Sequence, residues 1–130
     1  LELGGTVTAF EHRSFGEEYN LCKRYYYQSY DIGVAAGTTS NAGSIMLNVI
    51  TGNSFRYNIY FSPSMRASPT MTFYNVEDGT AGEMNREGAG GTNPESVSLT
   101  FASPKNAMIF NTGIGIAGNY YFHYTALAEL

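Results

Sequence analysis

The sequence predicts an all-β domain, a β-sandwich with one short N-terminal helix, and three observations predict it. The aromatic residues are 11 Tyr and 8 Phe with no Trp, dispersed among 15 Gly and many Thr, Ser and Asn, a mixture that favours strands and turns over helices. Apolar and polar residues alternate: Phe55, Tyr57, Ile59 and Phe61 fall on one face of a strand, Arg56, Asn58 and Tyr60 on the other. Short runs of this kind recur between Gly, Pro and Asn clusters at the spacing of a sandwich. With 130 residues, 43% of them hydrophobic, the chain fits one domain that buries roughly two thirds of its extended surface.

Residues 1–13 read as a leader from a preceding domain or stalk, because Leu1-Glu2-Leu3 resembles the end of a strand. Residues 14–130 then form the sandwich module. Ser14 can cap a helix and Glu17, three residues on, can close a capping box. Glu18, Leu21, Cys22 and Tyr25 follow at helical spacing for about two turns. A strand is expected over 24–28, with the Arg24 guanidinium bonded to a carboxylate or to carbonyls, since an arginine among strand aromatics is costly unless paired. Further strands are expected over 44–50, 69–74, 96–101, 107–110 and 119–126. Pro69 belongs at its strand's first residue, where the missing N–H interrupts no ladder. Residues 37–43 and the glycine-rich 76–95 read as long loops, which in a compact domain are commonly functional.

Eleven acidic against seven basic residues give a net charge of −4, which provides no cationic stripe for a phosphate backbone and argues against a nucleic-acid partner. Cys22 is the only cysteine, so an intramolecular disulfide and a Cys-based zinc site are excluded, and assembly in a reducing cytoplasm is expected. No run approaches roughly 18 apolar residues, and LELGGTVTAFEHR lacks the basic and apolar regions of a signal peptide. Membrane insertion is not expected, and neither is a cofactor.

Catalytic constellations are weak. His12 lies in a polar turn, and His123, inside the aromatic run 120–124, reads as a strand imidazole hydrogen-bonded to a neighbour. No G-x-S-x-G elbow occurs. Glycoside cleavage needs two carboxyl groups about 5–9 Å apart across the scissile bond, whereas Glu17-Glu18 and Glu77-Asp78 are sequence neighbours. Capping explains Glu17, and turn chemistry explains Asp78-Gly79. Oxygens of Glu77, Asp78, Glu83 and Asn85 could approach a calcium ion, but without the order of an EF-hand loop, and a solvated loop is the favoured reading. The expectation is a protein that is not an enzyme. Tyrosine offers a flat apolar ring for a sugar and a hydroxyl handle, at Tyr60, Tyr74, Tyr120 and Tyr124, although core or subunit-interface packing competes for each.

The string LELGGTVTAFEHRSFGEEYNLCKRYYYQSY resembles the signature opening the C-terminal module of many tailed-bacteriophage tail-fibre and other virion structural proteins. The positions that match are Leu1, Glu2, Gly4, Thr8, Phe10, Glu11, Arg13, Ser14, Gly16, Glu17, Glu18, Leu21, Cys22, Arg24, Tyr25 and Tyr26. The segments FSPSMRASPT, from Phe61 to Thr70, and TALAEL, from Thr125 to Leu130, are also similar to that family. Ala9 stands where the family often has proline, Tyr19-Asn20 replace a small or aliphatic pair, and residues 76–118 match nothing in it. The resemblance implies a jelly-roll-like sandwich in a trimeric fibre tip or similar virion appendage, and transfers no catalytic residue.

The expected function is therefore that of a tail-fibre receptor-binding module recognising host cell-surface polysaccharide. The alternative is a structural trimer cap or attachment knob of a capsid, collar or baseplate, in contact with other virion proteins; in a third reading a tailspike's catalysis lies in an upstream domain. Ligand contacts are expected from Tyr74, Asp78, Asn85 and Arg86, in or beside a variable loop over 83–91. A homotrimer is expected from Ile114, Ile116, Tyr120, Phe122 and Tyr124, beside Gly113, Gly115 and Gly118, because one sandwich cannot easily bury all 19 Phe and Tyr.

Overall fold

The computed structural model describes residues 13–50, 55–87, 94–111 and 116–129. Apart from Arg13, the expected leader lies outside these residues, as do His12, Gly113, Ile114 and Gly115.

Ser14 caps helix α1 (Phe15–Lys23). The capping box is complete: the Glu17 N–H donates to Ser14 Oγ at 3.3 Å, and Glu17 Oε2 accepts from the Ser14 N–H at 2.8 Å. Those bonds, the backbone one first, hold the Glu17 carboxyl below its ordinary pKa. None of the nine helical residues is buried. Arg24 is the C-cap of this helix and precedes the first strand, so its exposed guanidinium has no partner among the described residues. This corrects the expected paired arginine: outside the sheet, the side chain has water and needs no counter-group.

Nine strands follow among the described residues: β1 (Tyr26–Gln28), β2 (Ile45–Val49), β3 (Phe55–Tyr60), β4 (Thr70–Asn75), β5 (Glu83–Arg86), β6 (Pro94–Ser96), β7 (Ser98–Ala102), β8 (Asn106–Asn111) and β9 (Gly118–Leu127). They form two antiparallel sheets. The first is organised on β9. β1 and β4 both pair with residues 125–127 of β9 and so flank it on opposite sides. β2 continues the β1 side and β5 the β4 side, with β6 beyond β5. The second sheet is β3-β8-β7. Pairing β2 with β9 and β3 with β8 gives the nested order of a jelly roll, which β7 leaves by pairing with its sequence neighbour β8. The all-β sandwich with one helix is as the composition and alternation predict. Pro69 is buried immediately before β4, so its ring leads into the strand without breaking the ladder.

Between the sheets, Tyr120, Phe122, Tyr124 and Ala126 pack with Leu47, Val49, Ile59, Phe73, Met84 and Ile109. Phe73 meets Phe122 edge-on at 5.8 Å, and each ring so buried contributes about 2–3 kcal/mol. Burial also pushes the Tyr124 phenol up to about 12. The expectation that Tyr120, Phe122 and Tyr124 present a surface to symmetry copies is corrected: β9 is central, and its inner face is the core of its own chain. The exposed aromatics among the described residues lie elsewhere, at Phe15, Tyr19, Tyr25, Tyr26, Tyr60 and Phe101.

The expected loop over 76–95 is corrected as well. Met84 is completely buried between polar neighbours, which makes Glu83–Arg86 a strand by alternation, and β9 extends past β4 to offer the backbone partners it needs. The glycines serve the turn: Gly79 has φ +76°, and an added Cβ would lie 2.1 Å from the Gly37 carbonyl oxygen.

Candidate functional site

Alternation along β9 sends Asn119, Tyr121, His123 and Thr125 to the face of the first sheet that points away from the second. The segment 29–44, crossing from β1 to β2, covers part of that face. Tyr30 stacks on His123 with ring centroids 3.9 Å apart, and Tyr74 meets Tyr30 edge-on at 6.2 Å. The Tyr30 hydroxyl accepts from the Gly37 N–H at 3.0 Å, and the Ser40 N–H donates to the Val76 carbonyl at 3.1 Å. His123 is fully buried there, as a hydrogen-bonded strand imidazole: Nδ1 lies 2.8 Å from Ser29 Oγ and Nε2 lies 2.8 Å from the Ser40 carbonyl oxygen.

Where segment 29–44 ends, the uncovered part of the face forms a pocket of about 280 Å³ lined by Asn41, Val76, Glu77, Asn85, Glu87 and Tyr121. Asn85 and Tyr121 are cross-strand partners on β5 and β9. The Asn85 side chain is 1% exposed, yet neither its Oδ1 nor its Nδ2 has a hydrogen-bond partner among the described residues. Such groups are rare in native interiors, because each carries a desolvation penalty of about 1–3 kcal/mol. One rim is ordered by a ladder across strands: Asn48 Nδ2 donates to Asn119 Oδ1 at 2.7 Å, and Asn119 Nδ2 donates to Glu87 Oε2 at 2.7 Å. Partial burial and then the adjacent Glu87 carboxylate hold the Tyr121 phenol above its ordinary pKa, so it is a donor throughout the neutral range. Among the described residues, the lining carries two carboxylates and no cation.

Of the four residues expected to bind ligand, this pocket contains Asn85 alone. Tyr74 is half-buried beneath Tyr30. Asp78 is exposed in the turn, where its Oδ1 accepts from the Thr80 N–H at 2.8 Å. Arg86 follows Met84 on the opposite face of β5, its stem against Gly118. The variable loop expected over 83–91 is strand as far as Arg86, and its end lies outside the described residues. Asn41, Glu87 and Tyr121 are additional. The alternation Glu83, Asn85, Glu87 about the apolar Met84 is the signal that finds Glu87, whereas Asn41 reaches the pocket only through the crossover. Among the sugar-stacking candidates, Tyr120 and Tyr124 are core, and Tyr60 is exposed on the second sheet.

A second cleft of about 230 Å³ lies between α1, β1 and the start of segment 29–44, lined by residues including Tyr19, Lys23, Tyr26, Gln28 and Ile32. Several of its polar groups are already engaged. Lys23 Nζ sits over the Tyr19 and Tyr27 rings at 4.7 and 5.2 Å, and Gln28 accepts from the Tyr26 hydroxyl and donates to the Asp31 carbonyl. Comparison with protein-family models, with curated proteins and with solved structures finds no match.

Proposed function

We propose that this chain is a carbohydrate-recognition module of a bacteriophage tail fibre or similar virion appendage, taking up host surface glycan in the pocket around Asn85. The observation that carries the reading is the buried Asn85 amide, which has donors and acceptor to give and no partner for them among the described residues, at a polar pocket beside a tyrosine. Saccharides are recognised by this combination of planar amide, carboxylate acceptors and an aromatic ring. The resemblance of residues 1–26 to virion appendage proteins supports the biological setting. The test is a glycan array, including extracted bacterial surface polysaccharides, probed with the intact protein. Selective binding that Asn85→Leu abolishes supports the proposal; no binding to any glycan at millimolar concentration overturns it.

A second reading, assembly as a homotrimeric cap against other virion proteins, is favoured by a separate observation. Helix α1 buries no side chain, and Phe15 on it is 76% exposed, which leaves apolar surface free for a neighbouring subunit. Mass photometry giving a trimer that Phe15→Ser dissociates supports this reading, and a monomer at micromolar concentration refutes it.

A further inference from the structure

From the chemistry of this pocket we infer that its ligand is an uncharged saccharide presenting two adjacent hydroxyls to the Asn85 amide. The inference deepens the carbohydrate reading and rests on it. Three ligand chemistries could meet two carboxylates and an amide, and donor–acceptor accounting separates them. A cation would suit Glu77, Glu87 and Asn85 Oδ1 but would leave Asn85 Nδ2, a donor, as orphaned as before. An anionic group could accept from Nδ2 but would face Glu77 and Glu87 with like charge and leave Oδ1 empty. A pair of neighbouring hydroxyls satisfies both atoms: one accepts from Nδ2 and donates to a carboxylate, while the other donates to Oδ1.

Two features of the site fit this ligand. Because neither polar atom of the Asn85 amide has a partner among the described residues, engaging a ligand breaks no bond to them. Glu87 is held by Asn119, so one acceptor is fixed in advance and less ordering is required on binding. The volume of about 280 Å³ is at the small end of ligand pockets and suits a single sugar ring, with Tyr121 beside it.

The experiment titrates the intact protein, in EDTA at pH 7, with methyl glycosides of neutral hexoses and with the corresponding uronic acids, followed by two-dimensional NMR. The expected result is that a neutral glycoside binds and shifts the Asn85 side-chain amide, while its uronate binds at least about tenfold more weakly. Asn85→Asp, which replaces the donor with a third acceptor, should weaken neutral-sugar binding by about tenfold or more. The double variant Glu77→Gln, Glu87→Gln should bring uronate within about threefold of the neutral sugar. Uronates binding as tightly as neutral sugars, binding that appears only when calcium replaces EDTA, or an Asn85→Asp protein of native unfolding profile with unchanged affinity would each overturn the inference. All three leave the carbohydrate reading standing; failure of every sugar to bind removes both.

Discussion

The imidazole of His123 and the phenol ring of Tyr30 lie nearly parallel, 17° apart with centroids separated by 3.9 Å, and this stack fixes segment 29–44 on the sheet. The hydrogen bonds around it determine the imidazole's protonation. The Ser40 carbonyl can only accept, so Nε2 carries the proton. Nδ1 is therefore an acceptor and takes the Ser29 hydroxyl hydrogen, leaving Ser29 Oγ to accept from the Tyr124 N–H at 3.0 Å. Every atom of the chain Tyr124–Ser29–His123–Ser40 has one role, and a second proton on His123 would abolish the Ser29 bond.

Stability should accordingly fall in mild acid. Burial depresses the His123 pKa below its ordinary value of about 6.5, against an opposing contribution from the Ser40 carbonyl. The unfolded chain takes up a proton near pH 6.5 while the native imidazole stays neutral. The contribution is thus complete above that pH and is lost as pH falls toward the depressed native value. Urea unfolding between pH 8 and 5 should show this loss. His123→Phe should remove the slope over that range while destabilising the protein by about 2–4 kcal/mol, because Ser29 and Ser40 lose their partner.

The other end of the same segment is held by backbone. Gly79, at φ +76°, lies so close to Gly37 that a methyl group has no room. Gly79→Ala should combine the left-handed backbone cost with a clash against a carbonyl and destabilise by more than about 2 kcal/mol. Thermal unfolding measures it. A variant as stable as the parent would show that the two turns are not locked together.

For helix α1 the expectation is the reverse, a local effect without a global one. Its N-terminal box is complete, yet it buries no side chain, so its formation is only weakly coupled to the sandwich. Ser14→Ala should cost the helix about 1 kcal/mol. Amide exchange within 15–23 should then accelerate about fivefold, with the midpoint of global unfolding unchanged.

These elements differ in how far the sequence reveals them. The Ser14–Glu17 box is local chemistry, and the alternation from Phe55 to Phe61 reports directly which residues face the core; both are legible because the interactions span a few residues. Glu83–Arg86 is harder to read, since three polar residues become a strand only because the distant Tyr120 and Tyr121 supply the pairing. The aromatic run 120–124 suggests an exposed, self-associating surface until its central place in the sheet is known, and then the same residues are core on one side and the seat of His123 on the other. The pocket depends on long-range placement throughout: Asn41, Glu77, Asn85 and Tyr121 come from four elements. No local pattern links them.

Asn85 provides the sharpest test, because stability and recognition should move in opposite directions. Asn75, also buried, has one orphan atom, Nδ2, but its Oδ1 accepts from the Glu77 N–H at 2.9 Å and so holds the turn. Asn75→Leu should therefore destabilise. Asn85 makes no such bond among the described residues, and its buried polar atoms find no compensation there, so replacing it with an apolar residue of similar volume removes a penalty and none of the bonds seen. Asn85→Leu should raise stability by about 1–3 kcal/mol, read as a higher urea midpoint at unchanged slope, while glycan binding is lost. A residue kept at the expense of the fold is one selected for what it binds. If Asn85→Leu lowers the midpoint instead, the amide serves the native structure, and the pocket loses the observation on which its reading depends.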